Sequence, residues 1–97
     1  MADIVFHPEA RAEYEAAILW YQARSPRASM RFEAEVDRVL GVIAAGPETY
    51  PNYDAEHRFA VLRRFPYSIV YQVQPAQAYI VAVAHSSRSP GYWQGRA

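Results

Sequence analysis

An α+β fold follows from three features of the chain. Two helix-period stretches, separated only by the break at Arg24-Ser25-Pro26, read as a helical hairpin. Three strand-like segments after His57, divided at Phe65-Pro66 and at Pro75-Ala76-Gln77, read as an antiparallel meander. A β-branched and aromatic run at Asp3-Ile4-Val5-Phe6-His7 adds a strand ahead of the helices. The order is β-α-α-β-β-β, a helical hairpin packed against a small, mostly antiparallel sheet, in a single domain over residues 1–97. A chain of this size buries roughly 60–70% of the surface its unfolded form exposes, enough for a core without covalent staples.

The first strand stops at Pro8, which cannot serve a ladder but suits the first position of a helix. Ala10, Tyr14, Ala17, Ile18 and Tyr21 then fall on one helical face, with Glu9, Arg11, Glu13 and Glu15 at polar positions. Trp20-Tyr21 near the end of this helix is either a recognition surface or a lid on the core. Ser25 caps the second helix and Pro26 begins it, where a missing amide costs nothing. Ala28, Phe32, Val36, Val39, Leu40 and Ile43 form its apolar stripe, and Arg31 is spaced to pair with Glu35 across one turn. Ala45-Gly46-Pro47 ends it.

Residues Glu48 to His57 form a loop without a Gly-rich phosphate cradle or paired carboxylates. From Arg58 to Arg64 the chain alternates, with Phe59, Val61 and Arg63 opposite Arg58, Ala60, Leu62 and Arg64. Tyr67 to Gln74 alternates again. The final strand, Ala78 to His85, is apolar on both faces and belongs at the centre of the sheet.

Charge is distributed unevenly. Residues 1–56 hold all ten acids against five arginines, a net of −5, whereas residues 57–97 hold five arginines and no acid, a net of +5. There is no lysine and no cysteine. Arginine stays protonated and presents a planar fork to phosphate or carboxylate. The acid-free half is therefore either a basic face for nucleic acid or an acidic partner, or the counterweight to the acidic half within the fold. The absence of cysteine excludes disulfides and thiolate chemistry. The N-terminus lacks a basic segment followed by an apolar one, and the longest apolar run, Ala78 to Ala84, is too short to span a bilayer. A small soluble protein in the cytoplasm, with no membrane association, is the expectation.

His7, His57 and His85 have no metal-ligand spacing and no supporting cluster, so no metal is expected. Serines surround His85, but residues 57–97 contain no acid to orient an imidazole for nucleophilic catalysis. His85, Arg88 and Tyr92 at the end of the last strand are the candidates for proton transfer and phosphate binding in RNA cleavage through the 2′-hydroxyl. The competing reading is that His85 hydrogen-bonds the tail while Tyr92-Trp93 pack on the helices. Arginines interleaved with aromatics also suit stacking on single strands.

The element order, the helix ending in Trp20-Tyr21, the run Arg63-Arg64-Phe65-Pro66-Tyr67-Ser68-Ile69-Val70-Tyr71 and the ending Ala82-Val83-Ala84-His85-Ser86-Ser87-Arg88-Ser89-Pro90-Gly91-Tyr92-Trp93 resemble the RelE/ParE toxin superfamily over nearly the whole chain. The resemblance implies the toxin of a bacterial type II toxin–antitoxin pair, of the plasmid-stabilisation type. A cognate antitoxin with an acidic wrapping segment would be its partner, operator DNA would be contacted only through that antitoxin, and no cofactor is called for. Two activities are implied. RelE-like members cleave mRNA on the ribosome with basic residues on the middle strands, where this chain has Phe59, Val61 and Ser68; only Arg88 and Tyr92 match, with His85 as a substitute base. ParE-like members inhibit DNA gyrase and have no nuclease site, and the missing strand bases favour that class. A toxin that retains only antitoxin binding is the third reading. Residues Arg58, Arg63, Arg64, Tyr67, Arg88, Trp93 and Arg96 are the candidates for target or antitoxin binding.

Overall fold

The computed structural model describes residues Met1–Ala97. Its elements are β1 (Asp3–Phe6), α1 (Pro8–Arg24), α2 (Pro26–Ala45), β2 (Arg58–Val61), β3 (Tyr67–Gln74) and β4 (Gln77–His85). The strands form one sheet in the order β1-β4-β3-β2. Strand β1 pairs parallel to β4, and the other pairs are antiparallel. This is the expected β-α-α-β-β-β arrangement, with the doubly apolar β4 buried between two neighbours.

Local chemistry sets the helix boundaries. Ser25 accepts the Ala28 N–H at 3.3 Å and Pro26 opens α2, as the sequence predicts. At the start of α1 the cap is an imidazole: His7 Nδ1 accepts the Glu9 N–H at 3.0 Å. The stripes of both helices then meet the sheet. Ala10 and Ala17 of α1 and Phe32, Val36, Val39 and Ile43 of α2 pack with Ile69, Tyr71, Ala78, Ile80 and Val83. Fully burying a side chain of this kind contributes about 1.5–3 kcal/mol, so this layer carries most of the fold's stability. Tyr21 closes the core against Phe32 and Phe65, at ring separations of 5.1 and 5.3 Å.

Two details depart from expectation. Strand β2 ends at Val61 rather than Arg64, because the chain turns through Arg64 at φ 68°, a left-handed conformation. Leu62 still donates its N–H to Tyr67 O at 3.0 Å and remains buried. Glu35 does not pair with Arg31. It holds Arg38 through two 2.8 Å bonds and accepts the Arg63 N–H at 2.7 Å, tying α2 to the β2–β3 turn.

The second face of the sheet is covered by the C-terminal tail. Trp93 is 3% exposed there, packed on Val70, Val81 and Ala82, with Tyr53 and His57 rings at 5.0 and 4.6 Å. The tail proceeds by successive turns, and Gly91 and Gly95 supply the left-handed residues at φ 75° and 93°. Hairpin, sheet and tail thus form three layers.

Candidate functional site

The groove of interest lies where β1 runs out. Strand β1 pairs with β4 only as far as Ile80, so the edge of β4 beyond that point has no strand beside it. In the same stretch β4 carries a bulge: Val70 faces Ala82 and Tyr71 faces Ile80, leaving Val81 as the extra residue. The bulge reverses the alternation and turns Val83 and His85 toward the helices. Together with Glu13, Ala16, Ala17, Trp20 and Tyr21 of α1, with Tyr67, and with Arg88 and Tyr92 of the tail, they line an open groove of about 390 Å³.

Glu13 organises this region. One carboxylate oxygen accepts the Val83 N–H at 3.0 Å and Arg96 Nη1 at 3.1 Å. The other accepts Tyr92 O–H at 2.8 Å and Arg96 Nη2 at 3.0 Å. Arg96 also donates to the Val81 carbonyl at 3.0 Å. The unpaired edge of β4 is thereby satisfied by an ion pair in place of a strand. Burial alone would raise the Glu13 carboxyl, but the bonds from Arg96, Tyr92 and Val83 outweigh it and hold it below the usual range. The Tyr92 phenol is pushed well up by burial and by its bond to the Glu13 carboxylate, so it keeps its proton.

Of the three candidates for RNA cleavage, Arg88 and Tyr92 touch and His85 stands apart from both in its bonding. The Arg88 guanidinium lies over the Tyr92 ring at 3.8 Å and reaches Glu13 at 4.0 Å, with half its side chain in solvent. His85 meets Tyr67 edge-on at 4.9 Å. Its Nδ1 accepts the Ser87 N–H at 3.0 Å, which leaves Nε2 as the protonated nitrogen of the neutral ring. In this arrangement the imidazole offers the groove a donor and not a base.

The candidates for partner binding divide by exposure. Arg58 donates to the carbonyls of Glu48 and Tyr50, at 3.1 and 2.6 Å, and braces the loop before β2. Arg96 and Trp93 are committed to the fold. Trp93 was expected on the binding face and with the helices as the competing site; it lies instead on the opposite face of the sheet, because the tail returns across Val70 and Val81. Arg63, Arg64 and Arg88 are exposed, and Tyr67 is half-buried on the groove wall. Trp20 is 50% exposed beneath the Arg24 guanidinium at 3.4 Å, so Trp20-Tyr21 splits into one surface and one core residue.

In the sequence Glu13 is one polar position of α1 among several. The available signal was the acid-free half itself, since arginines that fold inward there must borrow a carboxylate from the helices. No three His, Cys, Asp or Glu side chains converge as metal ligands. His57 is buried with Nδ1 at 2.8 Å from Asp54, and no helix is long and apolar enough to cross a membrane.

A helical hairpin over a mixed four-stranded sheet, closed by an arginine- and aromatic-bearing tail, is the architecture expected of the RelE/ParE toxin superfamily. A sequence profile of the family described as "ParE toxin of type II toxin-antitoxin system, parDE" matches residues 4–90. The chain belongs to that family. A solved structure described as "Chromosomal ParDE TA system from P. aeruginosa" is similar with a TM-score of 0.74 at 16% identity, over 88% of this chain and 96% of that one, and it shares the fold. No curated protein sequence matches.

Proposed function

We propose that this toxin acts in the cytoplasm by binding and inhibiting DNA gyrase, and that a cognate antitoxin silences it. The observation that carries the reading is the internal engagement of Tyr92 and of His85 Nδ1, the groups a nuclease would use to move protons. Tyr92 gives its proton to a carboxylate that already holds Arg96, and His85 Nδ1 is occupied by a backbone N–H. A general base must present a free lone pair to the substrate's 2′-hydroxyl, and neither residue presents one to the groove in this arrangement. Phe59 and Val61 on β2 and Ser68 on β3 add no positive charge for a scissile phosphate.

The partner surfaces in this reading are the exposed arginines and the groove. Arg88, Tyr67 and the exposed Trp20 offer an antitoxin segment one cation and two aromatic contacts, over a floor of small residues at Ala16 and Ala17. Operator DNA is reached through the antitoxin. Induction in bacterial cells without the antitoxin tests the reading. Plasmid DNA is expected to accumulate in gyrase-linked cleaved or relaxed forms while the 5′ ends of translated messages stay unchanged. New 5′ ends within coding regions, lost in the His85→Ala variant, would instead establish ribonuclease action. Unimpaired growth with abundant folded toxin would leave only antitoxin binding.

A further inference from the structure

We propose that the outer edge of β1 pairs antiparallel with the β1 edge of a second copy of this chain. The two outermost strands of the sheet, β1 and β2, differ in what covers them. Beside β2 the preceding loop lies along the strand: Asn52 bridges Arg58, and the Pro51 carbonyl accepts the Phe59 N–H at 3.1 Å. The edge of β4 beyond Ile80 is likewise held, by Glu13 and Arg96. At β1 the odd-numbered residues serve β4, with the Asp3 N–H on Ala76 O at 3.0 Å and the His7 N–H on Ile80 O at 2.8 Å. In a parallel ladder the alternate residues aim their backbone groups the other way, so the N–H and C=O of Ile4 and Phe6 face outward. No turn or loop backbone bonds to them. Edge strands are commonly blunted by proline, lysine or a bulge, and Asp3 to Phe6 contains none of these.

The residues of this edge complement themselves. About a two-fold axis through Val5, Ile4 of one copy stands opposite Phe6 of the other, and each such pair exchanges both of its backbone bonds. Val5, 38% exposed, then meets Val5 of the second copy, a β-branched cross-strand contact of the stabilising kind. Asp3, exposed, comes opposite the second copy's His7. His7 Nδ1 accepts the Glu9 N–H at 3.0 Å, so the neutral ring carries its proton on Nε2 and has a donor for that carboxylate. Moving the register by two residues sets Asp3 against Val5 or leaves it without a strand partner, so the charges select one pairing. Two four-stranded sheets thereby become one continuous sheet. The paired strands have only four residues each, so the association is weak and reversible and grows with concentration. None of these residues lines the α1 groove, and the pairing is independent of the action on gyrase.

The test is sedimentation velocity of the full chain over a concentration series. The mass is expected to rise from 11.1 kDa toward twice that value. Val5→Lys places like charges on the axis and is expected to weaken the association about tenfold, with unchanged circular dichroism. Ile4→Pro removes an outward N–H, spares the ladder to β4 and is expected to leave a monomer. The chain has no cysteine, so Val5→Cys introduces a single thiol. Opposed Cβ atoms at such a position lie about 4.5–5.5 Å apart, near the reach of a disulfide. Oxidation with copper–phenanthroline is expected to link the Val5→Cys chains into a covalent dimer, and to do so faster than for Val61→Cys, a 62% exposed position at the end of β2. A mass of 11.1 kDa at every concentration, association unchanged in folded Val5→Lys, or equal linking at the two cysteine positions would each overturn the proposal.

Discussion

Among single residues, Glu13 ties the tail and the edge of β4 to α1, because four donors converge on its two oxygens. Glu13→Gln keeps the shape but removes the nearer charge that Arg96 needs, leaving a guanidinium with 11% side-chain exposure only the exposed Glu9 at 3.8 Å. The expected cost is about 1–3 kcal/mol of unfolding free energy, read as a lower urea midpoint at unchanged slope. Acid sensitivity belongs to the same scale. Burial opposes ionisation of Asp54, yet hydrogen bonds from Gln94, the Glu56 N–H and His57 prevail and bring it down to about 2. Glu13 is also held below its ordinary value. Groups depressed in the folded state contribute stability above their unfolded pKa and lose it as pH falls through the folded one. The urea midpoint should therefore be flat above about pH 5 and fall from there toward about pH 2. Asp54→Asn should flatten part of that fall. None of this was legible in the sequence, where Glu13 and Asp54 look like ordinary surface acids; what singles them out is the tail that folds back on them.

At the scale of elements, both helices and the central place of β4 were legible because periodicity and capping chemistry agree. The Ser25-Pro26 junction and the stripe from Ala28 to Ile43 state the hairpin in local terms. The bulge at Val81 was hidden, since an uninterrupted apolar run gives no sign of where its alternation reverses. That reversal decides that His85 faces α1. The tail was half legible: packing of Tyr92-Trp93 stood as one of two readings, but not that Trp93 would cover the far side of the sheet. Trp93→Ala removes the centre of that second cluster and is expected to cost about 3–5 kcal/mol, a large share of a small domain's total. Denaturation should show an earlier transition with early loss of near-ultraviolet dichroism. A change below about 0.5 kcal/mol would mean the tail contributes no more than a surface segment.

For the whole molecule, the charge asymmetry resolves in two ways at once. Arg96 and, at longer reach, Arg88 are drawn to Glu13, so part of the basic half does balance the acidic half. Arg63 and Arg64 remain turned to solvent, available to an acidic antitoxin segment or to the target. The fold class needed only patterning, and the family needed the motifs around Phe65-Pro66-Tyr67 and the His85 to Trp93 ending; which of the tail's polar groups are engaged is seen only in the folded chain. The most direct measurement is DNA supercoiling by purified gyrase in the presence of the purified toxin. Supercoiling should fall as toxin is added, and adding the antitoxin should restore it. Full supercoiling at a large molar excess of folded toxin would contradict the account.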